Sequence, residues 1–402
     1  MKVLVVSQYF PPESGATQNR LGTFATALAD RGHEVTVVCE QPNHPSGVFQ
    51  DGYGRRPVMT ERNPRMTVRR LWVAASPVKT TPRRLAFYGT FAIGAAASVL
   101  AAPRHDVLFA SSPPLPGVLA AAEAARLRRL PLVVDVRDLW PAAAQALGEL
   151  SEGRVLSAFE RAERRLYRQA RAVTATTRPF CRHIEAVAED ATCVHLPNGA
   201  LDELVALPDT EPPPAPPFVI GYAGNFGIAQ GLEIVLDAAD RMRDDEVRFL
   251  LVGDGPRAGE LRAGIAARGL RNVELRPGIP VAHVAEFLQS CHALLVPLRD
   301  HPMLDDFIPS KLYDAMAVGR PALVAARGEA AALAAATGGG LVVPPEDGAA
   351  LAAAIRRLAS KPELREALSA SGRRAAAGLA RSRQVETLED VLRAAGGDRV
   401  AS

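Results

Sequence analysis

The chain is poor in lysine. Of its 47 basic residues only four are lysine (Lys2, Lys79, Lys311 and Lys361), so arginine is the default cation and each lysine stands out. The four cysteines, Cys39, Cys181, Cys193 and Cys291, form no CxxC pair, which argues against a disulfide framework or a zinc site and suits a reducing compartment. No GxGxxG follows the first strand of either half, which argues against a nicotinamide dehydrogenase. No DxD motif offers a carboxylate pair for a divalent metal. The formal net charge of +3 is too small to indicate nucleic acid, and no recognition motif supplies what charge does not. The opening "MKVLVV" is too short for a signal-peptide apolar region and reads as a strand.

What is present is a soluble globular composition, 48% hydrophobic over 402 residues, enough for two cores. Short runs rich in valine and leucine alternate with helical patterns, the βαβ signature of parallel sheets. The first half offers "KVLVVS", "EVTVVC", "MTVRRLWV", "DVLFAS", "LVVDVR", "AVTATT" and "CVHLP". The second offers "FVIGYAG", "VRFLLVGDG", "NVELRPG", "ALLVPL", "PALVAA" and "GLVVPP". Between them, residues 207–218 read "LPDTEPPPAPPF", with six prolines, which predicts a semi-rigid linker. The expected organisation is an α/β protein with a doubly wound domain over 1–206, a linker over 207–218, a second such domain over 219–380, and a terminal helix over 381–402. Ligands in such sheets bind at the carboxyl ends of strands, near helix N-termini.

Residues 307–321, "FIPSKLYDAMAVGRP", predict a short helix that Ser310 caps and Gly319 and Pro321 stop. Lys311 sits in its first turn, Asp314 one turn on, and Asp306 lies eight residues before Asp314. A carboxylate accepts both hydroxyls of a diol, and a helix start with a lysine suits a diphosphate. The plainer alternative makes Asp314 a helix-dipole partner and Lys311 a surface residue. "GYAGNFGIAQGLE" (221–233) follows the first strand of the second half; its glycines allow close backbone approach or merely shape a turn. "LLVGDGP" looks like a dinucleotide fingerprint but lacks GxGxxG, and on its own it carries little. In "DVRDLWP" (135–141) a buried strand ends in charges, so Arg137 and Asp138 should either pair or face a site.

On these residues the chain resembles the retaining glycosyltransferases of family 4, which have the GT-B fold: two Rossmann-like domains facing a cleft. The Asp306/Asp314 spacing matches that family's two acids, usually glutamates. The resemblance implies that Asp314 grips the ribose of a nucleotide-sugar donor and that Asp306 faces the donor sugar, a place the neighbouring Asp305 could also fill. The family's arginine and lysine, which clamp the diphosphate, fall on Asn225 and Gln230 here. Lys311, with Ser310 at the same helix start, and Arg299 are then expected to neutralise it. "RPGIP" places Gly278 and Ile279 by the nucleobase. "QYFPPESGATQNR" places Gly15 by the donor phosphates. "QPNHPSGVFQDGYG" (41–54) places Asn43 and His44 by the acceptor, and Asp138, with Arg137, by the acceptor hydroxyl. "LPNGA" (196–200) fits the family with a structural role. The loop "GN-x-G-x-x-QG" is similar to a sub-branch of O-antigen and exopolysaccharide enzymes that includes fucosamine-type transferases.

The implied activity is metal-independent, retaining transfer from a UDP-sugar to a saccharide or polyprenyl-diphosphate-linked acceptor, with no cofactor and no nucleic-acid partner. Two rivals are a nucleotide-sugar 2-epimerase of the same fold and a non-catalytic nucleotide-sugar-binding protein. Residues 55–84 hold nine basic residues against one acid, Glu61, and residues 85–102 hold no charge. That apolar stretch lies between strands of one sheet, so the expectation is a buried core helix rather than a membrane span. A peripheral contact with the inner membrane is the alternative, for a protein expected in the cytoplasm.

Overall fold

The computed structural model describes residues 1–13, 15–64, 66–78, 80–141, 153–211 and 214–397. The contacts divide the chain into two units, residues 1–198 with 381–402 and residues 199–380. Lys79 and Arg65 of the basic segment, and Pro212 and Pro213 of the proline-rich one, lie outside the described residues.

The first unit contains the strands Lys2–Val6 (β1), Glu34–Glu40 (β2), Val58–Arg62 (β3), Met66–Leu71 (β4), Val107–Ser112 (β5), Leu132–Val136 (β6), Ala172–Ala175 (β7) and Cys193–His195 (β8). They lie in the order β3-β4-β2-β1-β5-β6-β7-β8, parallel except for β3, which pairs antiparallel to β4. The sequence pattern missed β3, "VMTER", because an exposed edge strand needs no apolar run. Helices Ala16–Asp30 (α1), Thr81–Ala101 (α2), Leu115–Arg128 (α3), Arg154–Gln169 (α4) and Arg178–Val187 (α5) connect them.

In the second unit Asp202–Val205 (α6) precedes the strands Phe218–Asn225 (β9), Val247–Asp254 (β10), Val273–Arg276 (β11), Ala293–Pro297 (β12), Ala322–Ala325 (β13) and Gly340–Val343 (β14). The order is β11-β10-β9-β12-β13-β14, all parallel. Helices Glu233–Asp240 (α7), Ala258–Arg268 (α8), Val281–Gln289 (α9), Ser310–Ala317 (α10), Gly328–Thr337 (α11), Gly348–Ser360 (α12) and Pro362–Gly378 (α13) cover both faces. Phe249 and Leu251 of β10 enter one core and Leu250 and Val252 the other, as a doubly covered sheet requires.

The last helix, Arg381–Gly396 (α14), buries Val385, Leu388 and Leu392 with Phe24 and Leu28 of α1 in the first unit's core. The units divide at Asn198 and Gly199, not at residue 206, because Ala200 and Leu204 pack into the second unit's core. The proline-rich segment does not separate the units. Arg320, 3% exposed, donates to the carbonyls of Cys291, Gln289 and Thr210, and Arg373 donates to the Leu207 carbonyl. These bonds hold the start of the segment on the second unit.

Each sheet reverses its winding once, between β1 and β5 and between β9 and β12. The loops at those carboxyl ends are where a doubly wound sheet leaves room for a ligand.

Candidate functional site in each unit

In the second unit the ends of β9 and β12 are stitched together, because the Arg299 N–H donates to the Ala229 carbonyl at 2.9 Å. Between them lies the turn Ile228–Gln230, where the Asn225 and Gln230 side chains both flank Gly227. The Gln230 amide oxygen is buried with no hydrogen-bond partner. Arg299 pairs with Glu346 at 3.4 Å, an exposed contact.

Helix α10 follows β12 and brings Lys311 against this turn. A Cβ placed on Gly224, whose φ is +142°, would stand 2.6 Å from Lys311 Nζ, so only glycine leaves the ammonium its place. Nζ also lies 5.2 Å from the ring of Tyr222, whose hydroxyl donates to the Asn225 carbonyl at 2.6 Å. Burial pushes the Lys311 ammonium below its ordinary pKa, and the nearby Asp314 carboxylate offsets part of that. No ion pair within 4 Å holds Lys311 among the described residues. It is a cation on the inner side of a turn of glycines and amides.

Ser310 does not cap the helix. Pro309 is the N-cap and makes no side-chain cap hydrogen bond, and Ser310 is itself the first helical residue. The start of α10 is therefore not closed by a capping side chain at the N-cap position. Asp314, one turn along, is half-buried. Asp305 carries a long ion pair to Arg327, 3.7 Å, and its carbonyl accepts the Glu329 N–H. Gly278 and Ile279 sit at the carboxyl end of β11, Gly278 exposed and Ile279 packed on the core that contains Leu312.

In the first unit, Arg137, just past the end of β6, joins the end of β5 to the start of α1. It donates from Nε to Ser111 Oγ at 2.8 Å, and from its two terminal nitrogens to Thr17 Oγ1 and the Pro113 carbonyl. Thr17 is the second residue of α1, whose N-cap is Gly15, so the Gly15 loop and Arg137 are brought together. Burial pushes the Arg137 pKa down to about 10 against the opposing pull of Asp135. Arg137 and Asp138 do not pair. Burial raises the Asp138 carboxyl to about 6, Arg137 opposing, and its Oδ1 is buried without a partner.

The ion pair that the strand end does contain was not foreseen. Asp135 pairs with Arg20, both side chains wholly buried, at 2.9 Å. Ser111 and Thr174 hydroxyls add bonds to Asp135, while Arg20 also donates to the carbonyls of Leu196 and Pro197. Burial alone would raise the Asp135 pKa, but Arg20 holds it below the usual range. Arg20 is polar and mid-helix, and only its distant acidic partner explains it.

Asn43 and His44 divide. Asn43 is buried, and its amide donates to Glu40 Oε1 and the Gln41 carbonyl, both at 2.9 Å, so its side chain holds the loop rather than facing outward. Glu13 Oε1 accepts the backbone N–H groups of Asn43 and His44, each at 2.7 Å. Burial raises the carboxyl pKa of Glu13 and of Glu40. His44 is exposed, its ring 5.0 Å from that of Tyr9. Both lie in the wall of a cavity of about 170 Å³ that also takes in Arg83, Arg84, Phe87 and Tyr88.

The apolar stretch forms α2 as expected, but it is not a buried core helix. It is long and apolar enough to cross a membrane by length and composition, and only 22% of that window is buried. Phe91, Ala95 and Val99 face the core, while Leu85, Ile93 and Leu100 are 68%, 73% and 49% exposed.

Comparison with known proteins converges on one family. Residues 15–199 match the glycosyl transferase 4-like domain, and residues 217–361 match the glycosyl transferases group 1 family. The chain is 29% identical over 356 residues to a protein of Escherichia coli K12 named as a colanic acid biosynthesis glycosyl transferase, WcaI, covering 81% of this chain and 83% of that one. Among solved structures it is similar to sucrose-phosphate synthase of Thermosynechococcus elongatus (TM-score 0.73, 18% identity, 97% of this chain and 98% of that one). It is similar also to HepE of Anabaena, solved in complex with UDP and glucose (TM-score 0.68, 18% identity, 98% and 99%). With two parallel-sheet α/β domains and both domain families matched in order, the chain belongs to the glycosyltransferases of the GT-B fold.

Proposed function

We propose that this protein transfers a sugar from a UDP-linked donor, with retention at the anomeric carbon and without a metal, to a saccharide or polyprenyl-diphosphate-linked acceptor in cell-surface polysaccharide assembly. The observation that carries the reading is Lys311. A half-buried ammonium without an ion pair, kept against Gly224 at an uncapped helix start, costs stability unless an anion comes to it. A diphosphate leaving group is such an anion, and amides fixed in advance stabilise its charge as the glycosidic bond breaks. Lys311, Arg299 and the start of α10 hold the diphosphate in this reading. Asp314 takes the ribose, Asp306 the donor sugar, and Gly278 with Ile279 the base.

On the acceptor side Asp138, raised to about 6, is matched to orienting a hydroxyl or receiving its proton near neutral pH. Arg137 acts on it through its charge, which opposes the rise. In a front-face course, the acceptor oxygen forms the new bond as the bond to the diphosphate breaks, and the acceptor proton passes to the leaving phosphate oxygen while the Asp138 carboxylate orients the hydroxyl. The name of WcaI supports polysaccharide assembly, and HepE, crystallised with UDP and glucose, supports the donor class. The exposed face of α2 supports a protein working in the cytoplasm in peripheral contact with the inner leaflet.

The test is calorimetric titration with UDP, GDP and NAD in the presence of EDTA. Micromolar binding of UDP alone is expected. A preference for GDP would change the donor, and NAD binding would overturn the reading. A second reading, a nucleotide-sugar-binding protein without turnover, gains from the neutral Asn225 and Gln230. It predicts UDP binding with no transfer or epimerised sugar from any UDP-sugar that binds.

A further inference from the structure

The cavity at the start of α2 is not a by-product of loop packing. Its walls carry Arg83, Arg84, His44, Tyr9 and Tyr88, and no acid lines it. Arg83 and Arg84 lie in the first turn of α2, where the helix dipole repels cations. No acidic residue stands in that turn and no side chain caps it. Among the described residues neither arginine has an ion pair, and the hydrogen bond that Arg83 makes is to the Ser76 hydroxyl, 3.2 Å. Two exposed cations and a positive helix end thus share a small cavity in which no acid is found among the described residues, an arrangement suited to an anion. At about 170 Å³ the cavity admits a head group rather than a whole glycan.

The same helix supplies the other half of the ligand's chemistry. From Leu85 to Leu100 it runs roughly 23 Å without a charge. Leu85, Ala86, Ile93, Ala97 and Leu100 are exposed and fall on one stripe. An anion-seeking cavity at one end of an apolar, solvent-facing helix fits an amphiphile with a diphosphate head. The loop beneath is made rigid by Glu13, which fixes Asn43 and His44 from below.

We propose that this cavity seats the diphosphate of an isoprenoid-linked acceptor, with Arg83 and Arg84 as its ligands and the exposed stripe of α2 against its chain. The inference deepens the transferase reading by giving its acceptor a site, and it rests on that reading for the word acceptor. The experiment keeps the two apart, since the donor residues lie in the other unit.

Binding of farnesyl diphosphate, inorganic pyrophosphate and UDP to the full chain is measured for the wild type, the double variant Arg83→Gln/Arg84→Gln, and Leu85→Ser. The wild type is expected to bind farnesyl diphosphate more tightly than pyrophosphate. The double variant should weaken farnesyl diphosphate at least about tenfold and leave UDP unchanged, which also shows that it folds. Leu85→Ser should weaken farnesyl diphosphate and spare pyrophosphate. Equal affinity of wild type and double variant for farnesyl diphosphate overturns the site. Equal binding of pyrophosphate and farnesyl diphosphate by the wild type overturns the isoprenoid chain. Arginine-dependent binding to phosphatidylglycerol vesicles without arginine-dependent binding of farnesyl diphosphate overturns it in favour of a bilayer surface. Loss of UDP binding by the wild type, with arginine-dependent farnesyl diphosphate binding intact, sinks the donor assignment and leaves the cavity standing.

Discussion

Replacing Lys311 by methionine should make the protein more stable and worse at holding UDP. The side chain keeps its length and apolar stem and loses its ammonium. In the folded protein that ammonium is held at a cost. Burial lowers its pKa, Asp314 offsets this only in part, and its one ring contact is Tyr222 at 5.2 Å. The sign follows from linkage. A lysine whose folded pKa lies below its unfolded value of about 10.4 binds fewer protons folded than unfolded in the window between the two. Stability therefore rises with pH across that window, and below it the fold carries the whole penalty. Methionine removes the penalty, on the order of 1 kcal/mol, which raises the melting temperature of the second domain by about 2–4 °C. UDP loses a charge-assisted contact worth about 1.5–3 kcal/mol, a roughly 10- to 150-fold weaker Kd. Uridine, which has no phosphate, should bind both proteins alike. Wild-type affinity for UDP should also fall on the alkaline side earlier than an ordinary lysine would dictate, and the variant should lack that limb. Scanning calorimetry and titration with UDP and uridine check the set. UDP affinity within twofold of wild type, or a melting temperature lowered by the change, would show that Lys311 is a structural cation and refute the donor site built on it.

Two further predictions concern the first unit. The carboxyl of Asp138, raised to about 6, should give a turnover rate that climbs with pH through that value, because the carboxylate is the form that accepts a hydrogen bond from the acceptor hydroxyl and orients it. Asp138→Asn should abolish the limb and lower kcat at least roughly 100-fold while sparing UDP affinity, and a rate flat from pH 5 to 8 would remove Asp138 from the chemistry. Asp135→Asn leaves Arg20 buried without its counter-charge. It should cost about 3–5 kcal/mol in denaturant unfolding at neutral pH. Asp135 is held below its unfolded pKa of about 3.9, so its contribution is present above that value and lost as pH falls through the folded one. The gap between wild type and variant should therefore close in acid, and equal stability at pH 7 would contradict the burial argument.

The sheets were legible because fully covered parallel strands must be apolar on both faces, and runs such as "VRFLLVGD" announce themselves. The turn at Gly224 was legible for a related reason, since close packing of backbone against a side chain admits no Cβ. What the pattern hid were long-range polar partners. Nothing local distinguishes Arg20 from the chain's other arginines, and Asp135 sits 115 residues away. Arg137 and Asp138 looked like a pair because they are near neighbours, yet the strand end turns Arg137 towards Ser111 and Thr17 and leaves Asp138 apart. The proline-rich segment misled for the opposite reason. Its composition was read correctly as non-helical, but composition does not say what it lies on, and Arg320 and Arg373 tie its start to the second unit.

The neutral pair at Asn225 and Gln230 leaves the charge balance of the donor site to other residues. Arg299 is already paired, but with Glu346 across 3.4 Å at an exposed position, where such a pair contributes little. Turning it towards a diphosphate costs almost nothing. Gln230 offers a second adjustment. Its buried amide oxygen has no donor, and rotating the amide by half a turn puts an NH2 there instead. One buried lysine, one loosely held arginine and one rotatable amide can then do with adaptable contacts what two fixed cations do elsewhere in the resemblance. The burden falls on Lys311, the member of the three whose charge is held against Gly224 without an ion pair among the described residues. Its loss should therefore cost more UDP affinity than the loss of Arg299.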